Sequence, residues 1–247
     1  MGRRSRKRSK RGFPVAILVA LHETEAVFWR VYSEKIKKDT KVGRGRKRKN
    51  QDEKQLYHFH QEIVDRLREI IKEGIRSIVL VNPPKTEYCE EFQEHIKKHH
   101  RWLLRRGPQQ AIFAYLEGKA ANIDQLLWLV QQEEFQEAVE RASNAESYMI
   151  MKNLEEILNR SGDFGIVAYS MKEIEKIVEH KWKPHEKKPD YILITDEFLE
   201  NHRQKNRIYR ILQIAKNKNI KTKIVYEESD AGSRLDQLGG MVCYRKN

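Results

Sequence analysis

Short apolar runs alternate with amphipathic stretches along most of this chain, and that alternation constrains its fold more than any other feature. Pro14–Leu21 and Ala26–Tyr32 are apolar and β-prone, and His22–Glu25 between them predicts a hairpin turn. From Asp52 to Glu73 the apolar positions Leu56, Phe59, Ile63, Leu67 and Ile70 repeat at three and four, the spacing of an amphipathic helix. A short strand at Ile78–Val81, closed by Asn82-Pro83-Pro84, a helix over Lys85–His100 and a strand at Ala111–Leu116 complete a first α/β unit. Gly118 marks a boundary. Asn122–Asn159 reads as helical, with Leu126, Leu127 and Leu129 packing first and Ala145, Tyr148, Met151, Leu154 and Leu158 continuing the apolar face. A second unit follows, with strands at Gly165–Tyr169, Tyr191–Ile194, Lys221–Tyr226 and Gly239–Arg245. One helix runs through Ile174 and Val178, and Asp196 is placed to cap another that buries Ile208, Ile211 and Leu212. The expected class is α/β: two layered domains of mixed sheets flanked by helices, residues 13–118 and 119–247, preceded by a disordered basic arm, residues 1–12.

Charge narrows the partners. Lys and Arg total 49 against 36 Asp and Glu, a net charge of +13, and the excess is clustered, so a polyanion is the natural partner. The arm carries Arg3, Arg4, Arg6, Lys7, Arg8, Lys10 and Arg11 with nothing apolar to bury, and is expected to order only against phosphates. Lys35–Asn50 reads as a mobile basic loop around Gly43 and Gly45, presenting Lys37, Lys38, Lys41, Arg44, Arg46, Lys47, Arg48 and Lys49 to RNA. A third basic stretch holds Arg101, Arg105 and Arg106 around Trp102, whose ring could stack on a base. Trp29 and Trp128 read as core.

Other classes find less support. Cys89 and Cys243 are too few for a disulfide framework and fit a reducing, cytoplasmic setting. No apolar run approaches the roughly 20 residues that span a bilayer, so no membrane partner is expected. His95 and His99 share a helix face, but without a Cys-x-x-Cys pair or a spaced acidic partner they do not make a metal site. Phosphate-binding and nucleophile-elbow motifs are absent, and neither catalytic residues nor a cofactor are expected. Gly239 and Gly240 read as packing glycines.

Three blocks in the C-terminal half carry a resemblance. They are Ala168-Tyr-Ser-Met-Lys-Glu-Ile-Glu-Lys-Ile, Asp190-Tyr-Ile-Leu-Ile-Thr-Asp-Glu-Phe-Leu and Gly232-Ser-Arg-Leu-Asp-Gln-Leu-Gly-Gly-Met-Val-Cys-Tyr-Arg. In order and spacing they resemble the third domain of Pelota and the archaeo-eukaryotic class-one release factors. The hairpin, basic segment, long helix and proline-closed strand of the N-terminal half resemble that family's central domain. The family's first domain has no counterpart. The segment where a release factor carries Gly-Gly-Gln reads Gly43-Arg-Gly-Arg-Lys-Arg-Lys-Asn-Gln51, so the resemblance lies nearer Pelota and away from peptide release. It implies a non-catalytic ribosome-binding factor acting in ribosome dormancy or in rescue of stalled ribosomes. Such a factor would meet rRNA and tRNA on the A-site and peptidyl-transferase side, work with a translational GTPase or a recycling ATPase, and be monomeric off the ribosome. An RNA-processing nuclease or hydrolase and a structural ribosomal protein are the alternatives.

Overall fold

The computed structural model describes residues 12–45, 52–107, 109–160, 165–183 and 185–246. The arm apart from Gly12, and Arg46, Lys47, Arg48 and Lys49, lie outside the described residues, as do the expectations attached to them. Two compact units are formed. One comprises the chain through Arg68 together with Ile75–Val139; the other comprises Glu69–Gly74 with Glu140–Asn247.

The first unit is built on a five-stranded mixed sheet. Its strands are β1 (Pro14–Leu21), β2 (Glu25–Tyr32), β3 (Ile36–Gly43), β4 (Ser77–Asn82) and β5 (Ile112–Glu117), in the order β3-β2-β1-β4-β5. β1, β2 and β3 pair antiparallel, whereas β4 runs parallel to both β1 and β5. β1 and β4 occupy the middle and are buried almost end to end, which is why their sequences read as continuous apolar runs rather than alternating ones. Helix α1 (Asp52–Lys72) buries Phe59, Ile63, Val64, Leu67, Ile70 and Ile71. It stops at Gly74, whose φ of 106° is a backbone conformation that glycine adopts without strain. After β4, Asn82 closes the Pro83–Thr86 turn by donating from Nδ2 to the Thr86 carbonyl at 2.8 Å. Helix α2 (Tyr88–His99) and a 3-10 turn at Arg101–Leu103 then lead to β5.

The helical stretch after Gly118 divides into α3 (Ile123–Leu129) and α4 (Glu133–Leu158). Leu126 and Leu129 are buried, but Leu127 and Trp128 are 53% and 63% exposed, so Trp128 is not a core residue. Trp29 is, and its Nε1 donates to the Ala120 carbonyl at 2.7 Å. On α4 the buried face is also rotated from the expected one. Ala145 and Tyr148 face solvent, while Ala142, Ser143, Glu146, Ser147, Ile150 and Leu154 are buried.

The second unit has a four-stranded mixed sheet of β6 (Gly165–Ala168), β7 (Tyr191–Thr195), β8 (Lys221–Val225) and β9 (Met241–Lys246), ordered β6-β9-β7-β8. Side-chain alternation divides β7 and β9 between two faces. Tyr191, Leu193, Val242 and Tyr244 join Ile150, Met151, Leu154 and Ile157 of α4 and Leu235 of α8 (Asp230–Gln237) in one core. Ile192, Ile194, Met241 and Cys243 take the other face. Helices α5 (Met171–Glu179) and α7 (Lys205–Asn217) supply the buried Ile174, Val178, Ile208 and Ile211. Ser170 and Glu173 form a reciprocal capping box at the start of α5. Thr195, not Asp196, caps α6 (Asp196–Asn201), its Oγ1 accepting from the Phe198 amide at 3.2 Å. Asp196 is instead the first residue of the helix, and its Oδ1 accepts from Glu227 N at 2.9 Å. Gly239 and Gly240 precede β9 rather than lying inside a strand. Gly240 has φ 76°, and a Cβ there would come within 2.6 Å of the Phe198 ring.

Candidate nucleic-acid interface

The segment expected to be a loop is, over Ile36–Gly43, an edge strand. Ile36, Thr40 and Val42 give it enough β-forming character to pair with β2, and the lysines between them obscured that pattern. Lysines are also what protects a free strand edge from pairing with another chain. Lys37, Lys38 and Lys41 are exposed along β3, and Arg44 follows it, half-buried. The strand positions these cations through specific contacts. Lys38 Nζ lies 5.9 Å from the Trp29 ring centroid, Lys41 pairs with Glu25, and the Arg44 amide donates to the Thr24 carbonyl at 2.7 Å.

Asp39 sits among these cations and points elsewhere. Pairing with β2 skips it, since Thr40 opposes Phe28 and Lys38 opposes Trp29, so Asp39 forms a bulge. Its Oδ1 accepts from Arg30 at 3.0 Å, and Oδ2 accepts from Arg66 on α1. Burial pushes the Asp39 carboxyl up, but the hydrogen bonds and charges of Arg66 and Arg30 outweigh it and hold the group below its usual value. The bulge thus pins the edge strand to α1 while the lysines beside it stay exposed.

The third basic stretch leads toward β5, the opposite edge of the same sheet. Arg101, Arg105 and Arg106 are exposed. Trp102 is half-buried and carries the Arg68 guanidinium 5.1 Å from its ring centroid, so the protein's own cation already occupies one ring face. The structure therefore divides these cations between the edge strand β3 and the connection from α2 to β5.

Between α1 and α2 lies a cluster of histidines. His95 is 5.1 Å from His60, 5.0 Å from His99 and 5.2 Å from His100, ring centre to ring centre. Burial, with neighbouring positive charge, pushes His60 and His95 down to about 4 and lowers His100. His60 and His95 are therefore neutral near pH 7 and add no charge for a phosphate. Among the described residues, no group of three or more His, Cys, Asp or Glu is placed to hold a metal ion. Burial raises the Cys89 and Cys243 thiols to about 12, which makes them poor nucleophiles.

Sequence reasoning missed Asp39, Arg30 and Arg66, because no spacing rule relates a strand bulge to a helix this far along the chain. No protein-family model matches the sequence, and neither does any curated protein. Solved structures do match. Ribosome-bound archaeal Pelota, from a structure with ABCE1, aligns over 94% of this chain and 61% of its own, with a TM-score of 0.53 and 16% identity. The chain has a Pelota-like fold. Saccharomyces cerevisiae Dom34, a translation termination-like factor, aligns over 92% of this chain and 62% of its own at TM-score 0.48 and 19% identity. Archaeoglobus fulgidus Pelota aligns over 96% and 65% at TM-score 0.40 and 18% identity. The chain thus spans less than two thirds of the length of each of these proteins, and the Pelota-like part comprises both of its α/β units.

Proposed function

We propose that this protein is a ribosome-binding translation factor of Pelota-like build, acting in ribosome dormancy or in rescue of stalled ribosomes and working by binding rather than by catalysis. The fold carries the proposal: both units align, in order, with a Pelota that is bound to the ribosome. The net charge of +13 supports it, as do Lys37, Lys38 and Lys41, exposed on an anchored strand where they can meet phosphates of rRNA or tRNA. Phosphate contacts carry no sequence code, so the shape of the ribosome supplies the specificity. The protein works in the cytoplasm and is a monomer off the ribosome. The same reading makes a translational GTPase or a recycling ATPase its protein partner, and the archaeal Pelota structure is one that holds ABCE1.

Sucrose-gradient sedimentation of the tagged endogenous protein, from growing and starved cells at low and high salt, tests this reading. Salt-sensitive movement into whole ribosomes is the expected result, and enrichment in starved cells assigns it to dormancy. Steady comigration with one subunit would make it a structural ribosomal protein. Protein that stays at the top of every gradient would overturn ribosome binding and favour an RNA-processing role.

A further inference from the structure

The outward face of α3 belongs to none of the basic segments discussed above. Leu126 and Leu129 turn inward, which leaves Ile123, Leu127 and Trp128 exposed by 50%, 53% and 63%. Ile123 and Leu127 are one helical turn apart, as are Asp124 and Trp128, so these four side chains share the outward side of the helix. A single exposed apolar residue is ordinary, but three on one short helix make a patch of the kind that marks a contact with another molecule.

Charge decides what covers it. Lys and Arg make up 49 of the 247 residues, yet no Lys, Arg or His lies between Lys119 and Arg141. That stretch carries Asp124, Glu133, Glu134, Glu137 and Glu140, all exposed. Asp124 is on the α3 face itself. The Gln132 and Gln136 side chains donate to the Trp128 and Val130 carbonyls at 3.3 and 2.9 Å, which ties the start of α4, with Glu133 and Glu134, to the end of α3. Asp124, Glu133, Glu134 and Glu137 make no ion pair among the described residues. Phosphates of RNA or of a lipid surface would be repelled here, and the same face of a second copy would set like charge against like. The arm of residues 1–11 has the opposite charge, but beyond Met1 it offers nothing apolar to lie on Trp128. The occupant must be apolar and cationic at once. We propose that the α3 face docks a Lys- or Arg-rich amphipathic helix of a partner protein. The apolar side of that helix lies on Ile123, Leu127 and Trp128, and its cations meet Asp124 and the carboxylates at the start of α4. The inference rests on α3 and its charge, not on the ribosome-binding reading.

Fluorescence anisotropy with the full chain tests the surface without ribosomes, so its outcome is separate from that of sedimentation. The probes are a labelled Leu/Lys peptide of about 18 residues, with its leucines spaced to line one helix face, and a scramble of identical composition. The wild-type chain is expected to bind the patterned peptide about tenfold more tightly, the scale of one interface anchor. Trp128→Ser and Leu127→Ser each abolish that preference, and both lie at exposed positions, where the fold tolerates substitution. Asp124→Lys with Glu133→Lys weakens binding of both peptides alike and leaves the preference intact. Equal wild-type affinity for the two peptides would overturn the proposal. Folded Trp128→Ser and Leu127→Ser proteins that keep the preference would overturn it too, moving the peptide to another surface. Wild-type protein that sediments as a dimer, with Leu127→Ser protein that does not, would give the face to a second copy. A loss of affinity for labelled oligouridine in Trp128→Ser would give it to RNA, and either result would overturn the proposal.

Discussion

Each unit removes a carboxylate from water, and the two units neutralise it differently. In the second unit Glu146 of α4 meets Lys223 of β8 at 2.7 Å, with side-chain exposures of 1% and 5%, and Ser143 lies 3.3 Å from the same ammonium. That is one charge against one, deep in a core. In the first unit Asp39 is held between two guanidiniums at an edge strand, with exposures of 12–26% among the three side chains. An ion pair of one carboxylate and one ammonium carries no net charge, and that of Glu146 and Lys223 lies in the core. The Asp39 cluster instead ties an edge strand to α1.

The largest expected effect comes from breaking the deeper pair on one side. Glu146→Ala strands a buried ammonium, and such a loss costs about 3–5 kcal/mol. Chemical denaturation should show it as a large fall in the stability of the second unit. Replacing both partners by apolar residues of similar size, Glu146→Leu with Lys223→Met, should restore most of the loss, because the desolvation of two charges disappears with them. A double variant as unstable as the single one would mean that the polar side chains themselves shape this core.

Asp39→Asn is the matching test in the first unit and should cost about 2 kcal/mol, within the range of charge-assisted hydrogen bonds. The asparagine keeps the shape but leaves Arg30 and Arg66 facing each other across a neutral amide. The depressed carboxyl gives the pH dependence its sign. Its stabilisation is complete above the ordinary Asp range near 4 and is lost as pH falls through the still lower folded value.

The histidines beside α1 act in a higher window. His60 and His95 titrate at about 4 in the fold against an ordinary histidine value of 6.5, so the unfolded chain binds more protons between those values. Their contribution is full above pH 6.5 and declines as pH falls toward 4. Tm should drop on the order of 5 °C or more across that window. His60→Phe with His95→Leu should flatten the slope, and an unchanged slope would place the acid sensitivity elsewhere.

These contrasts explain what the sequence made legible. β1 and β4 were readable because continuous apolar runs have few uses other than central strands. The Pelota-like blocks around Ser170, Thr195 and Gly240 were readable because a capping box, a strand-to-helix cap and a positive-φ glycine each require particular residues locally. β3 was misread because lysines at exposed positions mask the alternation of Ile36, Thr40 and Val42. The face of α4 was misread because Ser143, Glu146 and Ser147 are buried, and periodicity assigns polar residues to solvent. Whether Glu146 is inside depends on Lys223, on another strand, and no local pattern reports that.

The smallest effect on stability should come from the cations proposed to meet RNA phosphates. Lys37, Lys38 and Lys41 are exposed, and surface substitutions of this kind usually shift stability by no more than about 0.5 kcal/mol. Glutamate at Lys37 and Lys38 should therefore leave the denaturation midpoint almost unchanged. It should lower ribosome affinity and reduce the slope of log K against log salt by roughly 0.7–0.9 for each phosphate no longer neutralised. Asp39→Asn should do the reverse, with a clear loss of stability and a nearly unchanged salt slope as long as the strand stays paired. If Lys37 and Lys38 change neither affinity nor slope, β3 is edge protection only, and the binding charge lies elsewhere on the protein.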